Sequence, residues 1–430
     1  MLRPSFKLNL ATLLLLGPFV AACGGNGEDS LEDNGTSSGS GGSDAGTTAT
    51  DAGANAGSGG AGEPSEDLPE FEGGDINLST TGLGGSGGDA ESTDTGATDA
   101  GSLGSAGAST GEGGAGGANY SYDCGAFSED AGWHVRDGFR AVIVADESDG
   151  LNQPVAATFA EGPFGGLLYV VNQGDNVLRS VDIGTGAVRV VVPTDAWDTA
   201  PRLLTTIVWD EHDVFDGSLY VGDQGSNVDN NSRIYRVTAE GEATTFVEGG
   251  YGLDDVYGLA FPPPASEYPA GLYVTGDTDG ARPDWGRIAG DGTIVEFSEV
   301  TGAEGIAFDS TGRYAGALWA SRPNGGGYAG DDTVTPIDPM GLAGPALASD
   351  LKGIHAVTFA PGGDFGEVML AASWSTGQLL QIDPAGLVTE LAAGLSLTNY
   401  DGNILAVSSD GNVLFVADRL AHQVVCIEAI

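Results

Sequence analysis

A carboxylate, an imidazole and an amide recur at similar intervals in the C-terminal half of the chain: Glu304, His355 and Asn403, with Asp401 two residues before the last. Each heads a short apolar run, "EGIAFD", "HAVTFA" and "NILAVS". Gathered at one point, these groups would form an oxygen-rich donor set with one nitrogen, which suits Ca²⁺ or a hydrolytic divalent ion. An ion with an open position would polarise a carbonyl or activate water. The same histidine could instead act as a general base, with Arg322 gripping an anionic group. The plainest alternative is a ring of polar side chains around a water-filled channel. Such intervals, roughly fifty residues, make no local motif, so a repeat must bring the groups together.

That repeat is present. Apolar runs start at Val155, Thr205, Tyr257, Glu304, His355 and Asn403, and each is followed by a turn and a second run: "LLYVVN", "SLYVGD", "GLYVTG", "ALWASR", "VMLAAS" and "VLFVAD". Third runs ("NVLRSVDIGTG", "SRIYRVTAEGE", "GQLLQIDPAG") and fourth runs ("AVRVVV", "ATTFVE", "TIVEFS", "LVTELA") complete the unit. Short β-rich segments bounded by Gly, Pro and Asp, with no competing helical period, predict an all-β chain. Four strands in each of six units predict a six-bladed β-propeller. The last unit stops after its third strand, so the orphan "FRAVIVAD" at 139–146 should supply its outer strand. A Cys124–Cys426 disulfide would staple the same seam.

In that geometry the first residue of each inner strand and the last residue of each second strand share a face. The first column is Val155, Thr205, Tyr257, Glu304, His355 and Asn403. The second is Asn172, Asp223, Gly276, Arg322, Ser373 and Asp418. The same face carries three long loops, "DQGSNVDNNS", "DTDGARPDWG" and "RPNGGGYAGDDT", which marks it as the working face. The expected ligand-binding residues are Tyr257, Arg322, Asp223, Asn172, Asp418 and Trp374, with Trp285 and Tyr328 as further rim aromatics. The histidines 134, 212 and 422 are read as structural, away from this face.

The stretches "GLAF…GLYVTGD", "GIAFDSTG" and "LAVSSDGNVLFVAD" resemble the NHL-repeat and senescence-marker/gluconolactonase group of six-bladed propellers, over about residues 133–430. The resemblance implies that fold. In gluconolactonase-type members a Glu, an Asn and an Asp at inner-strand heads hold Ca²⁺. Here Val155 stands where that Glu would be, and Glu161-Gly162-Pro163 falls at the opposite face. Tyr400-Asp401-Gly402 matches the group's Asp-Gly element loosely.

Upstream, Arg3 and Lys7 precede the apolar "LATLLLLGPFV", too short to span a bilayer, so residues 1–22 read as a secretory signal. Its end, Val20-Ala21-Ala22-Cys23, resembles the bacterial lipobox. This implies acylation of Cys23 and an anchor in a lipid bilayer; Gly24 after the cysteine implies the outer membrane of the cell envelope. Residues 23–118 then form a linker rich in Gly, Ser, Ala, Thr and Asp, with 17 acidic side chains and no Lys or Arg. Such a composition predicts a disordered tether. Residues 119–430 form the propeller, with 13 basic against 44 acidic residues. That balance excludes nucleic acid as a partner, since phosphate binding draws on Lys and Arg. Two functions are open at this point. One is a non-catalytic propeller binding a ligand, glycan or surface protein on its loop-rich face. The other is a calcium-dependent lactonase or esterase.

Overall fold

Runs of Val, Leu, Ile, Ala and Tyr only five to seven residues long, punctuated by Gly and Asp, favour pleated strands over helices. The computed structural model describes residues 122–430 apart from 126, 128, 226–230, 250–252, 254, 265, 277–284, 299–302, 323–331 and 398–401. The signal, Cys23 and the tether lie outside the described residues, as do Asp401, Tyr328 and most of the three long loops. Helix is confined, among the described residues, to three-residue 3-10 turns, and no helix is long and apolar enough to cross a membrane.

All the strands fall into six antiparallel sheets, the blades of a propeller. Their inner strands are Pro154–Ala160, Leu204–Trp209, Val256–Ala260, Ile306–Phe308, Ile354–Gly362 and Leu405–Val407. Their second strands are Leu167–Asn172, Leu219–Asp223, Leu272–Gly276, Leu318–Arg322, Gly366–Ser373 and Val413–Asp418. Each inner strand packs beside that of the next blade, and blade 6 returns to blade 1. Apolar side chains fill the spaces between blades, as where Val155, Leu178, Ile207 and Val221 join blades 1 and 2.

Polar latches set the spacing of the blades. The residue at or just before the start of a third strand (Val177–Asp182, Arg233–Val237, Asp332–Ile337) accepts an N–H from the start of the next blade: Leu204 to Asn176 Oδ1 at 3.1 Å, Asp255 to Ser232 Oγ at 2.9 Å, and Ile354 to Asp332 Oδ2 at 3.1 Å. At the opposite face, buried Asp309 accepts N–H groups from Thr311, Gly312, Tyr314 and Gly316. Asp210 does the same for Val214, Phe215, Asp216 and Gly217. These carboxylates satisfy the loop backbone that each hairpin would otherwise leave unpaired.

The ring closes as expected. Phe139–Ala145 pairs antiparallel with Gln423–Ala429, placing Val142 opposite Cys426. Cys124 and Cys426 form a disulfide with their Cα atoms 6.0 Å apart. The Cys124 N–H donates to Glu428 at 2.7 Å, and Arg140 pairs with the same carboxylate. Tyr122 packs on Phe159, with ring centroids 5.0 Å apart, and its hydroxyl donates to Glu161. One addition was not foreseen: His134–Val135 lies outside Val388–Ala393 as a fifth strand of blade 5. Closing a loop this long by a covalent bond stabilises by about 2–5 kcal/mol in the chain-entropy account. The Cys124→Ser/Cys426→Ser variant should lose that much in urea unfolding and keep its β circular dichroism.

Candidate functional site

The register shows four of the six expected head residues at equivalent places. In blades 1, 2, 3 and 5 the ladder between inner and second strands slips by one residue at Val155, Thr205, Tyr257 and His355. In blade 4, Ser321 takes the Glu304 N–H on its carbonyl and gives its own N–H to Gly305, the same two-against-one pattern. Each is a β-bulge, which re-aims the side chain of its extra residue. Blade 6 shows one half of this pattern among the described residues. There the Ala417 N–H donates to the Ile404 carbonyl, the counterpart of the Ser321–Gly305 bond, and Asn403 borders a cavity at the opposite mouth.

Two of the expected residues come together. His355 Nε2 lies 2.5 Å from Glu304 Oε2, across the junction of blades 4 and 5. The imidazole is 6% exposed and the carboxylate 22%, so the carboxylate is the member that solvent reaches. Trp374 presents its ring to the imidazole edge to face, with centroids 6.0 Å apart. The contact is made by Nε2, one of the two ring nitrogens; the other is Nδ1. That Nδ1 is buried without a hydrogen-bond partner among the described residues. A buried polar atom in that state costs stability.

The backbone holds this pair from behind. The Ser321 hydroxyl donates to the His355 carbonyl at 2.8 Å, and the Thr275 hydroxyl donates to the Glu304 carbonyl. Both hydroxyls sit one residue before the end of a second strand, a column otherwise filled by Val171, Gly222, Ala372 and Ala417. Two hydroxyls in an apolar column were the available signal, and the sequence reading passed over it. Gly305 is equally specific: a Cβ there would fall 2.0 Å from the His355 carbonyl oxygen. Gly402 matters for the same reason, its Cβ position lying 2.0 Å from the Thr205 carbonyl oxygen.

The remaining expected positions have other tasks. Asp223 is fully buried and accepts the N–H groups of Arg202 and Leu203, with Arg233 3.8 Å away. Asp418 accepts from Ser396 N–H, and Asn172 donates to the Gly150 carbonyl. All three pin the loop that enters the inner strand of their own blade, so their polarity goes to loop-holding. Tyr257 is buried at the head of blade 3, and Arg322 ends the second strand of blade 4, half-buried. His422 lies in the turn between second and third strands of blade 6, and so on the loop-rich face.

Calcium takes six to eight oxygen ligands. Here no cluster of three or more His, Cys, Asp or Glu side chains that could hold a metal ion is present among the described residues. Asn403 makes no side-chain hydrogen bond to Glu304 or His355 among the described residues, and Asp401 lies outside them. The described donors therefore do not fit a calcium site.

No protein-family model matches the chain, and no curated protein matches it. Among solved structures it is similar to a gluconolactonase from Xanthomonas campestris, at 15% identity over 69% of this chain and 91% of that one, with a TM-score of 0.50. It is also similar to the PQQ-bound aldose sugar dehydrogenase of Streptomyces coelicolor, at 17% identity over 69% and 100%, with a TM-score of 0.48. Identities this low show the six-bladed fold alone, and the site must be argued from its own residues.

Burial raises the Asp418 carboxyl above the ordinary carboxylate range, against the lowering effect of the Ser396 N–H. A raised folded-state value contributes stability below the unfolded value of 3.8, lost as pH rises through the folded one. Asp418→Asn should remove that acid-side component, seen as a smaller loss of stability between pH 3 and the midpoint of the Asp418 titration in urea unfolding.

Proposed function

We propose that the loop-rich mouth is an active site for hydrolysis of a small ester or lactone, with Glu304 and His355 as its acid–base pair. The observation that carries this is the 2.5 Å contact between a partly exposed carboxylate and a buried imidazole. Glu304 is the member that meets substrate. As a carboxylate it takes a proton from water as that water attacks the carbonyl carbon, and returns it to the departing alkoxide. His355 is a positioning residue: its ring lies against one carboxylate oxygen, and the Ser321 and Thr275 hydroxyls fix the backbone on either side. Trp374 closes the imidazole against water. The non-catalytic reading draws no support from this geometry.

General acid–base groups contribute about 10²–10⁴ in rate. Glu304→Gln should therefore lower kcat about 100-fold on whichever substrate of a lactone and aryl-ester panel is turned over. His355→Gln should lower it less and shift the pH–rate profile, with both variants unfolding near the parent temperature. Hydrolysis at the buffer rate across the panel, or full activity in Glu304→Gln, would reject the assignment.

The placement of this activity rests on the N-terminal sequence. We propose acylation of Cys23 and a span from 24 to 118 that holds the propeller off the outer membrane, its partners being the lipid bilayer and a ligand or surface protein still to be found. Each buried CH₂ of an acyl chain contributes about 0.8 kcal/mol, so multiple chains anchor stably. Cys23→Ala should abolish palmitate labelling and move the protein from the membrane to the soluble fraction. Retention in the membrane would overturn the anchor.

A further inference from the structure

The inner strands end, at the mouth away from Glu304 and His355, in a cavity of about 370 Å³. That volume lies within the roughly 300–1,000 Å³ of small-molecule sites. Its floor is made of small groups from the inner strands, Thr158, Ala260, Ala307, Thr358 and Ala406, which leave the axis open. Trp209 and Phe261 stand in its walls, and Glu161, Glu211, His212 and Ser409 at its rim. No Lys or Arg lines it among the described residues.

The rim groups are already held in place. Glu161 Oε1 accepts the Tyr122 hydroxyl at 3.0 Å and the Ser409 hydroxyl at 2.6 Å, donors from two different parts of the seam. Trp209 is fixed by its indole N–H on the Gly217 carbonyl at 3.2 Å. Glu211 pairs with His212 Nε2 at 3.1 Å, a hydrogen bond that raises the imidazole above its ordinary range. When His212 is protonated it compensates Glu211 and leaves the Glu161 carboxylate as the uncompensated charge of the cavity.

From this we propose that the cavity binds a small organic cation, a primary or quaternary amine. A fixed carboxylate attracts the ammonium, aromatic walls take its alkyl surface and its charge, and no basic side chain competes. The field of a chain with a formal charge of −46 raises the local concentration of cations and disfavours anions. This site stands apart from the hydrolytic pair, and neither Glu304 nor His355 borders it.

Calorimetric titration of the full chain with choline and with putrescine, at low and high salt, tests the proposal. At least one probe should bind saturably at one site, more weakly in high salt. Glu161→Gln should weaken it about tenfold, as loss of a charge-assisted contact does. Glu211→Gln should weaken it less, and Glu304→Gln should leave it unchanged, which separates this site from the proposed activity. Loss of binding in Glu161→Gln with an unchanged unfolding temperature supports the site. No saturable binding of either cation, equal binding by Glu161→Gln, or equally tight binding of glucose would overturn it.

Discussion

The pairing of Phe139–Ala145 with Gln423–Ala429 is the constraint on which the rest of the molecule depends. A four-stranded blade has two apolar faces and cannot bury either alone, so each must be covered by a neighbour, and only a closed ring leaves none uncovered. Closure then sets an inner radius at which the inner-strand heads crowd. Gly305 and Gly402 are consequences of that crowding: at these points the backbone of another blade occupies the place of a side chain. The head residues that do carry side chains must direct them out of the ladder, and the bulges accomplish this.

Glu304 and His355 show how one such junction becomes a site. Nothing in their own strands requires them to meet. They meet because each occupies a bulge in adjacent blades and because hydroxyls from the preceding second strands hold their carbonyls. With both carbonyls fixed from behind, the two side chains are left in contact with each other. A carboxylate and an imidazole placed on rigid strands in this way are pre-oriented, which is what acid–base chemistry needs from a scaffold.

Much of this was legible in the sequence, because propeller repeats write themselves as recurring apolar runs and the seam leaves an orphan strand at one end. The disulfide was legible for the same reason, since Cys124 and Cys426 flank that seam. What could not be read was the use of each polar residue. Asp223 and Asp418 share a column with Arg322, yet their carboxylates are consumed by the N–H groups of loops entering the same blades. Asn403 belongs to the same column as His355, yet it borders the cavity at the other mouth. A one-residue slip in a ladder does not alter the spacing of apolar residues, so periodicity is blind to it.

The disulfide also decides how the molecule carries force. Residues 124 to 426 are closed covalently into one loop, with a sequence separation of 302. A pull toward the N-terminus on Tyr122 works against its hold on Phe159 and Glu161 and then ends at the sulfur bridge. From there the load passes directly into the strand that carries Cys426, at the other end of the sequence. No blade can be peeled off in order from the N-terminus while the bridge is intact. Reduction would return that load to the hydrogen bonds of the seam.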